Sequence, residues 1–526
     1  WSQCPKSKYI WANQFSFDLN PYQLSPNNVD VKYAWEINRL QFLLIYLTKY
    51  ESTKDKQHLS AIEGFITKWI TDNQFLNGIN WCSELDVALR CISLIVTYVT
   101  IFNVDNMSVA FIEKLLSVIK LHLLYLTKFR SFNYHILLNN HCIGEETAII
   151  LGSFLFQGKQ SERIRKKSVR ILENLLSKII SEEGVYKEYS FNYERFAAEF
   201  LILLILFGKN KKEFLPNIPK FESYLTLIMK HLKEYSKPNG ELPKSGDIDN
   251  GKVFYFDKNF NLSNSKEIIQ LGSYVLGQSI DTKLDFISES KKNENNIKLF
   301  CGNNYENAYI FSRVGEFSNT AVSANTHSHV DLLSLEILIN NMDIIVDKGV
   351  FSYFMDKQLF REQRACHSHN MLIINGEEIA DNYKLFAYKN HPRCKVVEFN
   401  DNLLEPSFLG ELAFKNNILR RKVSINFVEK RIDIMDTVQK CKQLMSAETL
   451  WYINPDLNNS VTVKDNKCLI RNDSLNMEFS FSGYEEVNIL DDFVSPSYGK
   501  KKNAKVLHFI SHNPNCRKFE IRINWN

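Results

Sequence analysis

Four of the twelve histidines in this 526-residue chain fall in two short motifs, THSHVD at 326–331 and RACHSHN at 364–370. Between them, Asp347 ends the apolar run Ile344-Ile345-Val346. On a β-strand, residues i and i+2 face the same way, so His327 and His329 share one face. Two imidazoles and a carboxylate form a donor set suited to Zn²⁺. The spacing leaves two readings open: one shared metal site, or strand and loop histidines with no common partner.

Two further clusters lie far upstream. In Asn139-Asn140-His141-Cys142-Ile143-Gly144-Glu145 the asparagines suit a helix N-terminus, where side-chain oxygens satisfy free backbone N–H groups. His141 and Glu145, four residues apart, fall on one helical face, so the carboxylate could orient the imidazole or form only a surface pair. In Glu188-Tyr189-Ser190-Phe191-Asn192-Tyr193, Ser190 is placed to cap the apolar helix running to Phe207. Tyr193 then sits in its first turn, where partial positive charge favours an anion. A tyrosine, an Asn–His pair and strand-borne histidines suit proton abstraction from carbon better than hydrolysis by two carboxylates.

These groups must be positioned by elements of two kinds. Apolar residues at three- and four-residue spacing predict helices near 33–50, 56–71, 84–102, 107–129, 138–157, 161–182, 189–208 and 217–235. Short polar connections favour antiparallel helical hairpins. The run KPNGELPKSGDIDNG, starting at Lys237, is rich in turn residues and reads as loop, followed by a helix near Lys266 to Leu276 and a polar linker, Ser288 to Asn296. From Ile297 short alternating or apolar runs such as NAYIFSRV, LLSLEILI and KVSINFV predict antiparallel strands. The expected architecture is multidomain α + β: a helical domain over 1–287 and an antiparallel β-sandwich over 297–526.

A formal net charge of +4 names no polyanionic partner by itself, and nothing points to nucleic acid. The ten cysteines contain no CxxC, which argues against a disulfide framework and a zinc ribbon. No apolar run reaches transmembrane length. The chain begins at Trp1, so a secretion signal could have been removed or left out. Oligomeric state leaves no mark in the sequence.

Eight segments, in order, resemble the heparinase II/III-like family of polysaccharide lyases: DVKYAWEINR (30–39), GINWCSELDVALR (78–90), NNHCIGEE (139–146), GVYKEYSFNY (184–193), PKSGDIDNG (243–251), HSHVD (327–331), VDKG (346–349) and HSHN (367–370). The resemblance implies an incomplete α/α toroid followed by a β-sandwich, and β-elimination at a uronic acid of an acidic polysaccharide. It further implies that Asn140 and His141 neutralise the uronate carboxylate, and that Tyr193 and His327 form the acid–base pair, their order open. A tyrosine with a pKa of about 10 needs a cationic neighbour to serve as base at neutral pH, and charged His141 or His327 is the expected source. His329, Asp347 and His369 match the family's ligands for a divalent metal, with zinc in a structural role expected. Glu145 would orient His141 or bind substrate; Glu188, Arg90 and Arg364 are further candidates for substrate binding. Trp35, Trp81 and Tyr189 either stack on sugars or belong to the core. Two rival readings are a glycoside hydrolase using Glu145 and Glu188, and a non-catalytic glycan-binding or capsule-assembly protein. The substrate class favours a periplasmic or secreted location, with a cytoplasmic one as the alternative.

Overall fold

The computed structural model describes residues 1–526 apart from 22–25, 27, 103, 105–106, 132–137, 210–214, 256–263, 279–288, 318–326, 465–466 and 473–474. The expected domain end at 287 and linker start at Ser288 therefore lie outside the described residues.

Helices α1 (Lys32–Asn38), α2 (Leu43–Thr53), α3 (Gln57–Asp72), α4 (Glu84–Ile101), α5 (Val109–Lys128), α6 (Asn140–Ser153), α7 (Lys159–Ile179), α8 (Phe191–Lys209), α9 (Ile218–Tyr235) and α10 (Ser265–Leu276) make up the first half. The single helix expected over 33–50 is two, broken at Leu40, whose φ of 57° is left-handed. The helices form inner and outer layers. Inner α4 and α6 are buried on nearly every side, and α8 is close to that. Outer α7 buries only one stripe, including Arg165, Val169, Leu172, Leu176 and Ile179, and keeps its other face polar. Inner α6 packs on α4, α7 and α8. An inner helix wrapped by neighbours must be apolar all round, whereas an outer helix needs only one apolar face.

The second half is antiparallel sheet. Its first sheet, of five strands, includes Asn296–Gly302, Asn307–Arg313, Leu335–Ile339 and Met342–Ile345. Alternate residues go to opposite cores. Phe300, Tyr309, Phe311 and Leu338 join the helical core, while Leu299, Ile310, Ile337 and Ile339 join that of the sandwich. This sheet is therefore a middle layer, buried on both faces, and its strands read as continuous apolar runs. An eight-stranded sheet, in which Lys518–Trp525 pairs with Arg431–Lys440, packs beyond it, beside a four-stranded sheet containing Leu372–Ile374 and Ala447–Tyr452. Lys237, buried, ties the halves together through Glu336 at 2.6 Å and Asp343 at 2.8 Å.

Among the described residues no helix is long and apolar enough to cross a membrane.

Candidate active site

The N-termini of α6 and α8 bring Asn140 and Tyr193 to one place. Asn139 caps α6, its Oδ1 accepting from the backbone N–H groups of His141 and Cys142. Ser190 does the same for α8, accepting from Tyr193 N at 3.3 Å. Against these helix ends lies His327 from the second half. Its ring stacks on that of Tyr193 with centroids 3.6 Å apart and planes 14° apart. Asn140 Nδ2 is 3.4 Å from His327 Nε2. Three residues that the sequence separates by up to 187 positions thus meet at the domain boundary.

The loop at 243–251 holds them there. Gly246 adopts φ +71°, and a Cβ on it would stand 2.7 Å from the His327 carbonyl oxygen and 2.8 Å from that of Tyr189. Only glycine passes between the two chains. The next residue, Asp247, lies across both histidines, which were expected on a strand but sit in the irregular segment that precedes Leu335–Ile339: Oδ2 accepts from His327 Nδ1 and Oδ1 from His329 Nε2, each at 2.8 Å. Burial alone would raise this carboxyl, but Arg364 and the two histidine hydrogen bonds outweigh it and hold it well below the ordinary range. Ionised Asp247 can only accept, so both histidines carry their protons toward it. This turns Nε2 of His327 toward Asn140 and leaves Nδ1 of His329 without a hydrogen-bond partner.

Two residues further on, Asp249 Oδ2 accepts from the Tyr193 hydroxyl at 2.8 Å, and Tyr353 places its own hydroxyl 3.1 Å away. Burial, then Asp249 and Asp247, push the Tyr193 phenol well above its usual pKa. A cationic neighbour, His141 or His327, was expected to lower this pKa; burial and two carboxylates dominate instead and raise it, so Tyr193 is a neutral phenol here. Asp249 is itself kept ionised, since Lys32, the Gly251 N–H and Arg39 outweigh its burial. Asp247, Asp249 and Tyr353 were not among the site residues expected from the sequence, where the one available signal was a pair of aspartates at i and i+2 in a glycine-bounded loop.

Glu188 is fully engaged: Oε1 accepts from Asn140 N at 2.6 Å and from the Tyr186 hydroxyl at 2.7 Å, and its two oxygens share the Asn140 Nδ2 donor at 3.2 and 3.1 Å. It therefore positions Asn140 and leaves no free carboxylate edge for substrate. Glu145 turns to Ser131, accepting from its N at 2.9 Å and Oγ at 2.5 Å, and burial pushes its carboxyl up to about 8. Both are nearly inaccessible, at 2% and 1% exposure, so the geometry does not support them as a hydrolase pair or as sugar contacts. His141 lies next to Asn140, half-buried, at the start of α6.

Two expected substrate-binding arginines are corrected. Arg90 is wholly buried between the rings of Trp69 and Trp81 and donates to His122 Nε2 and to the carbonyls of Asn38 and Asn80. Its place is in the toroid core. Arg364, also wholly buried, donates to the carbonyls of Leu385 and Ser328, with Nε 3.8 Å from Asp247 Oδ1. It is the countercharge behind Asp247. Trp35 and Trp81 are core residues, and Tyr189 is buried with its hydroxyl on Glu316.

His329, Asp347 and His369 come together, with one ligand atom of each within 4.8 Å of the others. Asp347 Oδ2 accepts from His369 Nδ1 at 2.6 Å. His329 Nδ1 and His369 Nε2 are buried without a hydrogen-bond partner. Two orphaned imidazole nitrogens beside a carboxylate fit a metal such as Zn²⁺, because burying them bare is otherwise costly.

Comparisons with known proteins bear on the family and the fold. The family model "Heparinase II/III N-terminus" matches residues 6–265, and "Heparinase II/III-like, C-terminal" matches 305–526. A crystal structure of heparinase III superimposes with a TM-score of 0.75 at 15% identity, covering 96% of this chain and 79% of that one. A mutant of the heparan sulfate lyase HepC from Pedobacter heparinus superimposes with a TM-score of 0.65 at 18% identity, covering 99% and 80%. No curated protein matches the sequence at the level expected of a homologue. Spanned by both family models and folded as a helical toroid on a β-sandwich, the chain belongs to the heparinase II/III-like family of polysaccharide lyases.

Proposed function

We propose that this chain cleaves a uronic-acid-containing glycosaminoglycan by β-elimination, with His327 as base and Tyr193 as acid. The observation that carries this is the Tyr193–His327 stack, backed by a different aspartate on each side. Asp247 holds the His327 proton on Nδ1, so Nε2 is free to take the C5 proton. The imidazolium so formed lies between Asp247 and Glu188, whose Oε2 is 3.4 Å from Nε2. Tyr193 keeps its proton at rest and can pass it to the departing 4-oxygen; Asp249 and Tyr353 fix the hydroxyl's direction. Asn140 holds one amide N–H on Glu188 and the other on a long contact to His327, so an arriving carboxylate oxygen can claim the second. With His141 and the α6 N-terminus it would stabilise charge growing on the uronate, where one positioned donor is typically worth ~3–4 kcal/mol.

His329, Asp347 and His369 would hold a divalent metal, zinc being the best match to the donors. Bound there, it would supply a cross-link that stiffens the segment carrying His327 and take no part in proton transfer.

The structural neighbours make heparan-type glycosaminoglycans the first substrates to try. The test is a panel of heparan sulfate, chondroitin, hyaluronan and alginate, followed by near-ultraviolet absorbance. β-Elimination creates an unsaturated uronate that absorbs there. New reducing ends without absorbance would mean hydrolysis, and binding without either would mean a non-catalytic protein.

A further inference from the structure

Beyond the triad, a second group of ligand-type side chains lies on the outer side of the same turn. We propose that Cys366, His367 and Glu378 form a second divalent-metal site, supported by Glu448 and His508. The three ligand atoms lie within 4.8 Å of one another. His367 Nδ1 is 3.5 Å from Cys366 Sγ and 2.9 Å from Glu378 Oε1. Tetrahedral zinc with ordinary bond lengths would place such N···S and N···O pairs about 3.6 and about 3.4 Å apart. The sulfur is already in place, and the carboxylate needs to move outward by only about half an ångström. Glu378 has room to do so, its side chain being 35% exposed.

The surroundings suit a cation. Glu448 approaches the far side of the ring, with Oε1 3.7 Å from His367 Nε2, and its other oxygen accepts from His508 Nε2 at 2.7 Å. A carboxylate behind a ligating imidazole is the usual way its orientation is fixed. Cys366 is wholly buried, whereas the His367 side chain is 39% exposed, so an ion entering from solvent would meet the imidazole and carboxylate first and the sulfur last. A thiolate, an imidazole and a carboxylate leave a fourth position for water.

Position gives the site its consequence. Cys366–Ser368 is a single 3₁₀ turn, and His369 follows it directly. Glu378 comes from the loop after Leu372–Ile374, and Glu448 from Ala447–Tyr452, the strand paired with it. An ion held by Cys366, His367 and Glu378 would pin the turn that aims His369 at the inner triad.

Cobalt substitution tests this without any glycan or turnover. The chain is stripped with a chelator, reloaded with Co²⁺ and desalted, then examined by elemental analysis and near-ultraviolet absorption. The expected result is a thiolate-to-cobalt charge-transfer band that is retained in His329→Ala and lost in Cys366→Ser, together with one metal equivalent. Glu378→Gln, at a half-exposed position that should not disturb folding, is expected to weaken binding at this site 10- to 100-fold. No such band in the parent chain, or a band that persists in Cys366→Ser, overturns the proposal.

Discussion

Asp247 accepts the Nδ1 proton of His327 across the domain boundary, at 2.8 Å, with a carboxylate that burial by itself would have neutralised. The bond turns Nε2 of the imidazole toward Asn140, and it joins a loop of the helical half to the segment that precedes Leu335–Ile339 in the other. Its second oxygen does the same for His329. On the proposed mechanism, one side chain would thus orient a histidine for proton transfer and another for metal ligation.

Asp247→Asn is therefore expected to damage two properties together. Elimination should fall 10²- to 10⁴-fold as His327 loses its fixed tautomer, and metal affinity should fall 10- to 100-fold. Absorbance kinetics and a metal titration on the same preparation check both. Loss of activity with unaltered metal affinity would refute the shared role.

Tyr193→Phe should remove most turnover, again by 10²- to 10⁴-fold, while circular dichroism stays that of the folded chain. Asp249 loses a hydrogen bond, at a cost of about 1–3 kcal/mol. Retained turnover would exclude Tyr193 as the acid.

His329→Ala should lower metal content and melting temperature, whereas His327→Ala should abolish turnover and leave the inner metal bound. If His327→Ala strips the inner metal instead, the division between these histidines is wrong.

Arg90→Ala should act on folding, with no selective rise in KM. Burial lowers its guanidinium pKa to about 10, which leaves it charged at neutral pH. The variant removes a cation held by three acceptors and two indoles, a loss of about 3 kcal/mol or more by chemical denaturation.

Glu145 gives a pH signature. Its folded pKa, about 8, lies above the ordinary carboxylate value, so the folded chain binds this proton more tightly than the unfolded one. The stabilisation is complete below about pH 4.5 and is lost as pH rises through about 8, amounting to a few kcal/mol. Glu145→Gln should flatten that part of the stability–pH curve. An unchanged slope would show that the carboxyl is ionised at neutral pH.

The two halves were legible in the sequence, and so were several residues that the fold brings together, among them Asn140, Tyr193 and His327. Periods of 3.6 and 2 are imposed by burial along a helix or strand, so they survive in the text, and the change near residue 237 marks the passage between them. Capping chemistry placed Asn139 and Ser190 correctly, because a helix end must satisfy its own N–H groups locally. The triad His329, Asp347 and His369 was legible as a set of ligand types. What each charged side chain faces depends on the fold. Arg90 and Arg364 were expected to bind substrate, but the fold encloses one between indoles and sets the other behind Asp247. Asp247 and Asp249 lay in a loop with no period to read, and their roles come from partners roughly 80 and 56 residues away. The direction of proton transfer follows from the same cause. The role implied by the resemblance called for a charged His141 or His327 beside Tyr193, but burial and the carboxylates of Asp249 and Asp247 raise its pKa, and local charge in a buried site fixes which group keeps its proton.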